Sequence, residues 1–148
     1  MAKYDKTMKT IFSDMAEDLV RLMTGDKVRK QEELNIEFTR VEKRESDMVL
    51  KCEMNGKNIA VHIEFQSNND SKMPYRMLRY CLEILEKHNL PVYQLVLYMG
   101  KEKINMEDTL NYFFDVDNML NYKYKTVDIG DLKFSDIVGN EAYGLYSL

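Results

Sequence analysis

Ile59-Ala60-Val61-His62-Ile63-Glu64-Phe65-Gln66-Ser67 sorts cleanly into two faces when read as a strand. Successive side chains of a strand point to opposite sides of the sheet, so Ile59, Val61, Ile63 and Phe65 share one face. Ala60, His62, Glu64 and Gln66 share the other. The first face is apolar enough to be core. The second carries a carboxylate and a carboxamide two residues apart, about 6.5–7 Å along the strand. Another carboxylate lies shortly before, in Ser46-Asp47-Met48-Val49-Leu50. If the two segments pair as a hairpin, Asp47 and Glu64 meet on one face, an arrangement suited to a divalent metal.

The turn that would make this hairpin is Asn55-Gly56, the strongest short hairpin signal in the chain. Before it, Met48, Leu50, Cys52 and Met54 alternate with Asp47, Val49, Lys51 and Glu53. Further back, Leu34, Ile36 and Phe38 alternate with Asn35, Glu37 and Thr39. Counting outward from the turn predicts three antiparallel strands over 33–41, 47–54 and 58–67. Lys27 to Gln31 reads as a basic, polar connector.

Helices flank this meander. Met8, Ile11, Phe12, Met15, Leu19, Leu22 and Met23 recur at helical spacing over 7–24, and Gly25-Asp26 is a natural stop. After the loop Ser67–Ser71, Asp70 or Ser71 can cap a helix that opens on Met73-Pro74 and runs to His88. Its core face is Met73, Met77, Tyr80, Cys81, Ile84 and Leu85. Arg76, Arg79, Glu83, Glu86 and Lys87 lie mostly outside. Asn89-Leu90-Pro91 ends it. Val92 to Met99 is apolar almost throughout, the pattern of a strand buried on both faces, and the helix before it supplies the crossover for parallel pairing. Residues 101–122 are mixed, with a helical patch around Met106–Phe114. Tyr124 to Ile129 reads as a short last strand, and Leu132 onward as a core-seeking helix or loop. The order αβββαβ predicts an α/β fold with a mixed central sheet flanked by helices.

Composition narrows the class. The chain has 148 residues, 45% hydrophobic and 31% charged, which suits one soluble domain over 1–148. No apolar run approaches the ~20 residues that span a bilayer, so no membrane role is expected. The N-terminus lacks the apolar core of a secretory signal. Cys52 and Cys81, without CxxC spacing, argue against a zinc or disulfide framework and read as small core residues, with a reducing cytoplasm the default. The net charge of −4 excludes a general polyanion binder, so any nucleic-acid contact requires locally concentrated positive charge.

Asp47, then Ile63-Glu64-Phe65-Gln66-Ser67, then Met73-Pro74-Tyr75-Arg76-Met77-Leu78-Arg79-Tyr80 resemble the Rpn family of recombination-promoting nucleases, also described as transposases, in the PD-(D/E)XK nuclease superfamily. Leu90-Pro91-Val92 to Tyr98-Met99-Gly100 resembles that family's buried strand. The resemblance spans residues 5–140, and its most specific part is E-x-Q-S followed by M-P-x-R-M and a tyrosine. It implies a restriction-endonuclease-like core and metal-dependent cleavage of DNA phosphodiesters linked to recombination or mobile elements. By position, Asp47 and Glu64 would be the metal-binding acids, and Gln66 would stand where the superfamily has lysine. Glutamine brings a neutral donor and acceptor in place of a cation, so activity would lean harder on the metal. Longer family members continue into a C-terminal region, and this chain is expected to lack it.

Phosphodiester hydrolysis needs negative charge neutralised at phosphorus and a hydroxide at neutral pH. Mg²⁺, with Mn²⁺ as substitute, supplies both when held by one or two carboxylates. Asp47 and Glu64 suit that role, the Phe65 carbonyl offers a further oxygen, and Gln66 can position the attacking water. The simpler reading of the acids is exposed salt bridging to Lys51, Arg40 or Arg44; that of Gln66 is a strand-end hydrogen bond to the following loop. His62 shares the Glu64 face, with a buried, satisfied histidine the simpler reading. His88 reads as a contact at a helix C-terminus. Arg76 and Arg79 are candidates to contact DNA phosphates or brace the acids. Lys43 and Arg44, with Lys27, Arg29, Lys30 and Arg40, are candidates for a basic rim. Asp5, Asp14 and Glu17 are possible additional acids. The leading expectation is a DNA endonuclease domain. The alternatives are a non-catalytic module that pairs with and regulates a longer family member, and an enzyme acting on RNA. A homo-oligomer is compatible with either of the first two.

Overall fold

The computed structural model describes residues 15–34, 48–140 and 142. Helix α1, Ala16–Thr24, is followed by strands β1 (Val28–Glu33), β2 (Met48–Met54) and β3 (Lys57–Gln66). Helix α2 (Met73–His88) then leads to β4 (Val92–Tyr98). The chain continues through β5 (Thr109–Asp115), β6 (Asn118–Lys123) and β7 (Lys125–Asp128), a 3₁₀ turn at Ile129–Asp131, and α3 (Phe134–Gly139).

Five strands form one mixed sheet in the order β1-β2-β3-β4-β7, and β5 and β6 form a separate two-stranded sheet. The β2–β3 hairpin turns on Asn55 and Gly56, both at positive φ (52° and 74°), with Met54 opposite Lys57. Two left-handed residues match the twist of a tight hairpin, which is why Asn-Gly serves here. Strand β4 pairs parallel to β3, from Val92 beside Ala60 to Tyr98 beside Gln66, with α2 as the crossover. β7 adds in parallel to β4.

Both faces of the sheet are covered. On one, Ile59, Val61, Ile63 and Phe65 of β3 join Leu50, Cys52, Leu95 and Leu97 beneath Ala16, Leu19 and Val20 of α1 and Ile137 of α3. On the other, Val49, Ala60, Val96 and Tyr98 pack under Met73, Met77, Tyr80 and Ile84 of α2. The face holding His62 and Glu64 is therefore interior. Burying each large apolar side chain contributes about 1.5–3 kcal/mol, so β3 is clamped from both sides.

Three sequence expectations are corrected. Strand β1 occupies Val28–Glu33, the stretch read as a connector, and the strand expected over 33–41 falls mostly outside the described residues. Only Val28 of β1 is buried, so there is no apolar alternation to read. As an edge strand it is held by backbone pairing to β2 and by polar ties: Lys30 N donates to Glu17 Oε1 (2.6 Å), and Gln31 Nε2 to Asn58 Oδ1 (2.9 Å). The helical patch around Met106–Phe114 is instead the start of the β5–β6 hairpin. Asp115 Oδ1 accepts from Asp117 N and Asn118 Nδ2, closing the turn, and aromatic side chains favour extended backbone. On α2, Leu85 is exposed, whereas Arg76 is drawn inward to 16% side-chain exposure by charge pairing.

Helix α2 has Lys72 at its N-cap, with no side-chain cap hydrogen bond, so neither Asp70 nor Ser71 caps it as expected. Asp70 Oδ1 accepts from Lys72 N (2.9 Å), and Pro74 sits in the first turn, where a missing N–H costs nothing. Asn89, left-handed, ends it by donating to the Leu85 carbonyl. No described helix is long and apolar enough to cross a membrane.

Candidate active site

The site grows from the C-terminal half of β3. Because β3 is central and α2 lies over its second face, Glu64 is only 3% exposed and His62 not at all. A buried carboxylate needs a counter-charge, and the helix supplies one. Arg76 Nη2 donates to Glu64 Oε1 at 2.5 Å, and Nη1 donates to Asp70 Oδ2 at 2.9 Å. Burial works against the Arg76 charge, but Glu64 and then the hydrogen bond that Arg76 donates to Asp70 outweigh it, and its pKa is raised. Asp70 serves twice, setting the helix start with one oxygen and holding Arg76 with the other.

A second chain of contacts approaches Glu64 from the opposite side. Gln94 on β4 donates from Nε2 to the Met77 carbonyl (2.9 Å), and the same Nε2 lies 2.9 Å from His62 Nδ1. Its Oε1 accepts from the Tyr122 hydroxyl at 2.5 Å. A carbonyl oxygen can only accept, so Met77 fixes which end of the Gln94 amide is nitrogen. Nδ1 of His62 then accepts, and the proton of the neutral ring sits on Nε2. That atom is 3.5 Å from Glu64 Oε2. The Tyr80 ring meets the His62 ring edge-on, centroids 5.2 Å apart, and limits its tilt. The result is a buried polar line from Tyr122 through Gln94 and His62 to Glu64, Arg76 and Asp70.

The ends of the line differ. Glu64 Oε1 is clamped by a guanidinium, whereas Oε2 is buried with no hydrogen-bond partner among the described residues. A carboxylate oxygen in that state is the hard donor that Mg²⁺ prefers. The described residues offer one such ligand: they contain no group of three or more His, Cys, Asp or Glu that could hold a metal ion. His62 does not add a nitrogen ligand in this tautomer, because Nε2 carries the proton.

The other residues singled out in the sequence fall as follows. Gln66 is half-buried at the end of β3, and its backbone carbonyl accepts from Met99 N at 2.8 Å. Phe65 faces the α1 core at 5% exposure. Arg79 is exposed on α2, away from Glu64's ion pair. Glu17 is engaged with the backbone of β1. Asp47, Lys43, Arg44, Arg40, Asp5 and Asp14 lie outside the described residues; among the described ones the β2–β3 ladder reaches Met48 opposite Ile63. The sequence reading missed Gln94, Tyr122 and the second role of Asp70. A glutamine within an otherwise apolar strand was the available signal, since a buried amide demands partners.

A mixed five-stranded sheet, helices on both faces and an acid-x-amide at the end of its central strand define a restriction-endonuclease-like α/β fold. Over residues 1–146 the sequence matches the family described as "Putative transposase, YhgA-like", and the chain belongs to this Rpn/YhgA family of PD-(D/E)XK nuclease-like proteins. No curated protein matches it. Among solved structures, it is similar at 14% identity and a TM-score of 0.38 to a chain of the refined half-complex from a tetradecameric assembly of Thermococcus gammatolerans McrB AAA+ hexamers with bound McrC. That likeness covers 88% of this chain and 30% of the other, and a superposition so loose does not define a shared fold. Family membership supports a transposase- or nuclease-like role.

Proposed function

We propose that this protein is a divalent-metal-dependent endonuclease that hydrolyses DNA phosphodiester bonds, in a role linked to recombination or mobile elements. The observation that carries the reading is Glu64: a buried carboxylate with one oxygen clamped by Arg76 and the other without a hydrogen bond among the described residues, on the central strand of a nuclease-type sheet. Asp47 precedes Met48, the first residue of β2, and the proposal requires it beside Glu64 as second ligand, with the Phe65 carbonyl as a third oxygen. A bound Mg²⁺ or Mn²⁺ would neutralise charge at phosphorus and make hydroxide available near neutral pH. Arg76 keeps Glu64 ionised and fixed in orientation. His62 stands beside the remaining oxygen, its Nε2 3.5 Å from Oε2 without a hydrogen bond between them among the described residues, and restricts its swing. Gln66, at the open end of the strand, orients the attacking water through its amide. Lys43 and Arg44 are candidates for phosphate contacts.

The test is cleavage of supercoiled plasmid with Mg²⁺, Mn²⁺ or EDTA, alongside Glu64→Ala and Asp47→Ala. Metal-dependent nicking that both variants lose, while their circular dichroism matches the parent, is the expected result. A folded parent that cuts with no metal, or variants that cut normally, would overturn the reading.

A further inference from the structure

The large apolar side chains exposed among the described residues are confined to two elements. Tyr75, Leu82 and Leu85 lie on α2, and Tyr112, Phe113, Phe114, Val116 and Met119 on the β5–β6 arm. The arm's strands pair only with each other among the described residues. Its base is anchored where Tyr122 reaches Gln94. Beyond that, Tyr112 pairs with Leu120 on one face, and Phe113 with Met119 on the other. The distal half is therefore apolar on both sides, with Phe113, Phe114 and Val116 at 69%, 72% and 80% exposure. A two-stranded ribbon is marginal in water unless a face is packed, so this arm calls for a partner.

The charges say which. From Thr109 to Tyr122 there is no lysine or arginine, and the tip carries Asp115 and Asp117. Two carboxylates without a cation repel phosphates, whether of nucleic acid or of an anionic lipid surface. The complementary surface is on this same chain. Arg79 is exposed on α2, four residues after Tyr75 and three before Leu82, so the three form one patch: a cation set among exposed apolar side chains.

We infer that the β5–β6 arm docks on α2 of a second copy of this chain, reciprocally about a two-fold axis, with Asp117 of one copy meeting Arg79 of the other. In such an isologous dimer arm meets helix twice, so a donor and an acceptor patch on one chain suffice. An aromatic side chain buries about 150–250 Å² when fully covered. Three more than half-exposed aromatics, with Val116, Met119 and the α2 trio, bring each copy toward the ~800 Å² per partner of a stable interface.

Sedimentation equilibrium of the 148-residue chain, from low micromolar to hundred-micromolar concentration, tests this. A monomer–dimer equilibrium is expected, with Phe113→Asp or Phe114→Asp raising the dissociation constant at least tenfold while thermal unfolding of the monomer stays cooperative. Arg79→Glu and Asp117→Arg should each weaken the dimer, and together restore it. That charge-swap rescue separates docking from a folding defect. A chain that is monomeric at every concentration, or a dimer indifferent to the arm variants, would overturn the inference. A dimer lost in both charge variants but not regained in the pair would overturn the arm-on-α2 geometry. A monomer whose arm binds an oligonucleotide or a longer family member would reassign the surface to that partner.

Discussion

Arg76 lies with Nη2 2.5 Å from Glu64 Oε1, so a residue of the crossover helix clamps the acid of the central strand across a buried interface. Both side chains are largely removed from water, at 16% and 4% exposure. Breaking such a pair from one side strands a buried charge, whereas removing both partners does not.

Arg76→Met should therefore destabilise the fold by about 3–5 kcal/mol. Glu64→Gln should cost less, because Arg76 keeps Asp70. The double variant should recover much of the Arg76→Met loss. Urea midpoints of the four proteins give the coupling, and a strictly additive cycle would contradict the clamp.

Gln94→Leu should orphan the Tyr122 hydroxyl and His62 Nδ1 together, whereas the Met77 carbonyl, inside α2, keeps its helical acceptor role. Each buried unsatisfied group costs about 1–3 kcal/mol, so a loss of several kcal/mol is expected. Two-bond ¹⁵N–¹H correlation spectra of the parent should show His62 protonated at Nε2 and bare at Nδ1. In the variant that preference should relax. A parent ring protonated at Nδ1 would refute the assigned line of contacts.

Two glycines should respond differently to alanine. At Gly100 a Cβ would overlap the Tyr98 hydroxyl, which donates to the Glu102 carbonyl, and would stand 2.8 Å from the Ser67 carbonyl oxygen. Gly100→Ala should cost about 1–3 kcal/mol through overpacking. Gly56 has open space around it but a φ of 74°, so Gly56→Ala should cost about 1–2 kcal/mol from backbone strain. Because the Cβ would also overlap Tyr98 Cζ, removing the whole ring is what makes space: Gly100→Ala should lose less stability in a Tyr98→Ala background than in the parent, whereas Gly56→Ala should lose the same in both, in chemical denaturation.

Stability should fall at alkaline pH. The buried Cys52 thiol is pushed up from 9.0 to about 11, by burial first and then by Glu17. Tyr122 and Tyr124 are also raised, mainly by burial. A group with a raised folded pKa keeps its proton where the unfolded chain has lost it, so its contribution is complete below the unfolded value and is lost above it. For Cys52 the loss should run from about 9 to about 11, at up to ~1.4 kcal/mol per pH unit. Urea midpoints between pH 7 and 11 should show the decline, and Cys52→Ala should flatten it. A parent equally stable at pH 7 and 11 would contradict the burial of these groups.

Much of this architecture was legible because it is written in local periodicity. The alternation from Ile59 to Phe65 assigned the two faces of β3, Asn55-Gly56 placed the hairpin, and the apolar run from Val92 announced a strand covered on both sides. Local signals failed where an element is defined by its neighbour. β1 is polar and exists because β2 offers an edge, and β5–β6 is exposed in its distal half with Leu110, Leu120 and Tyr122 only half-buried, so neither carries a strong burial pattern. Glu64 was legible as a candidate, since acid-x-amide at a strand end is a one-dimensional feature. That Arg76, held by Asp70, grips it, and that Met77, Gln94 and Tyr122 place His62 beside it, depends on strand register and the docking of α2. Those partners are 6 to 60 residues distant in sequence, and only the balance of burying charge against pairing it brings them together.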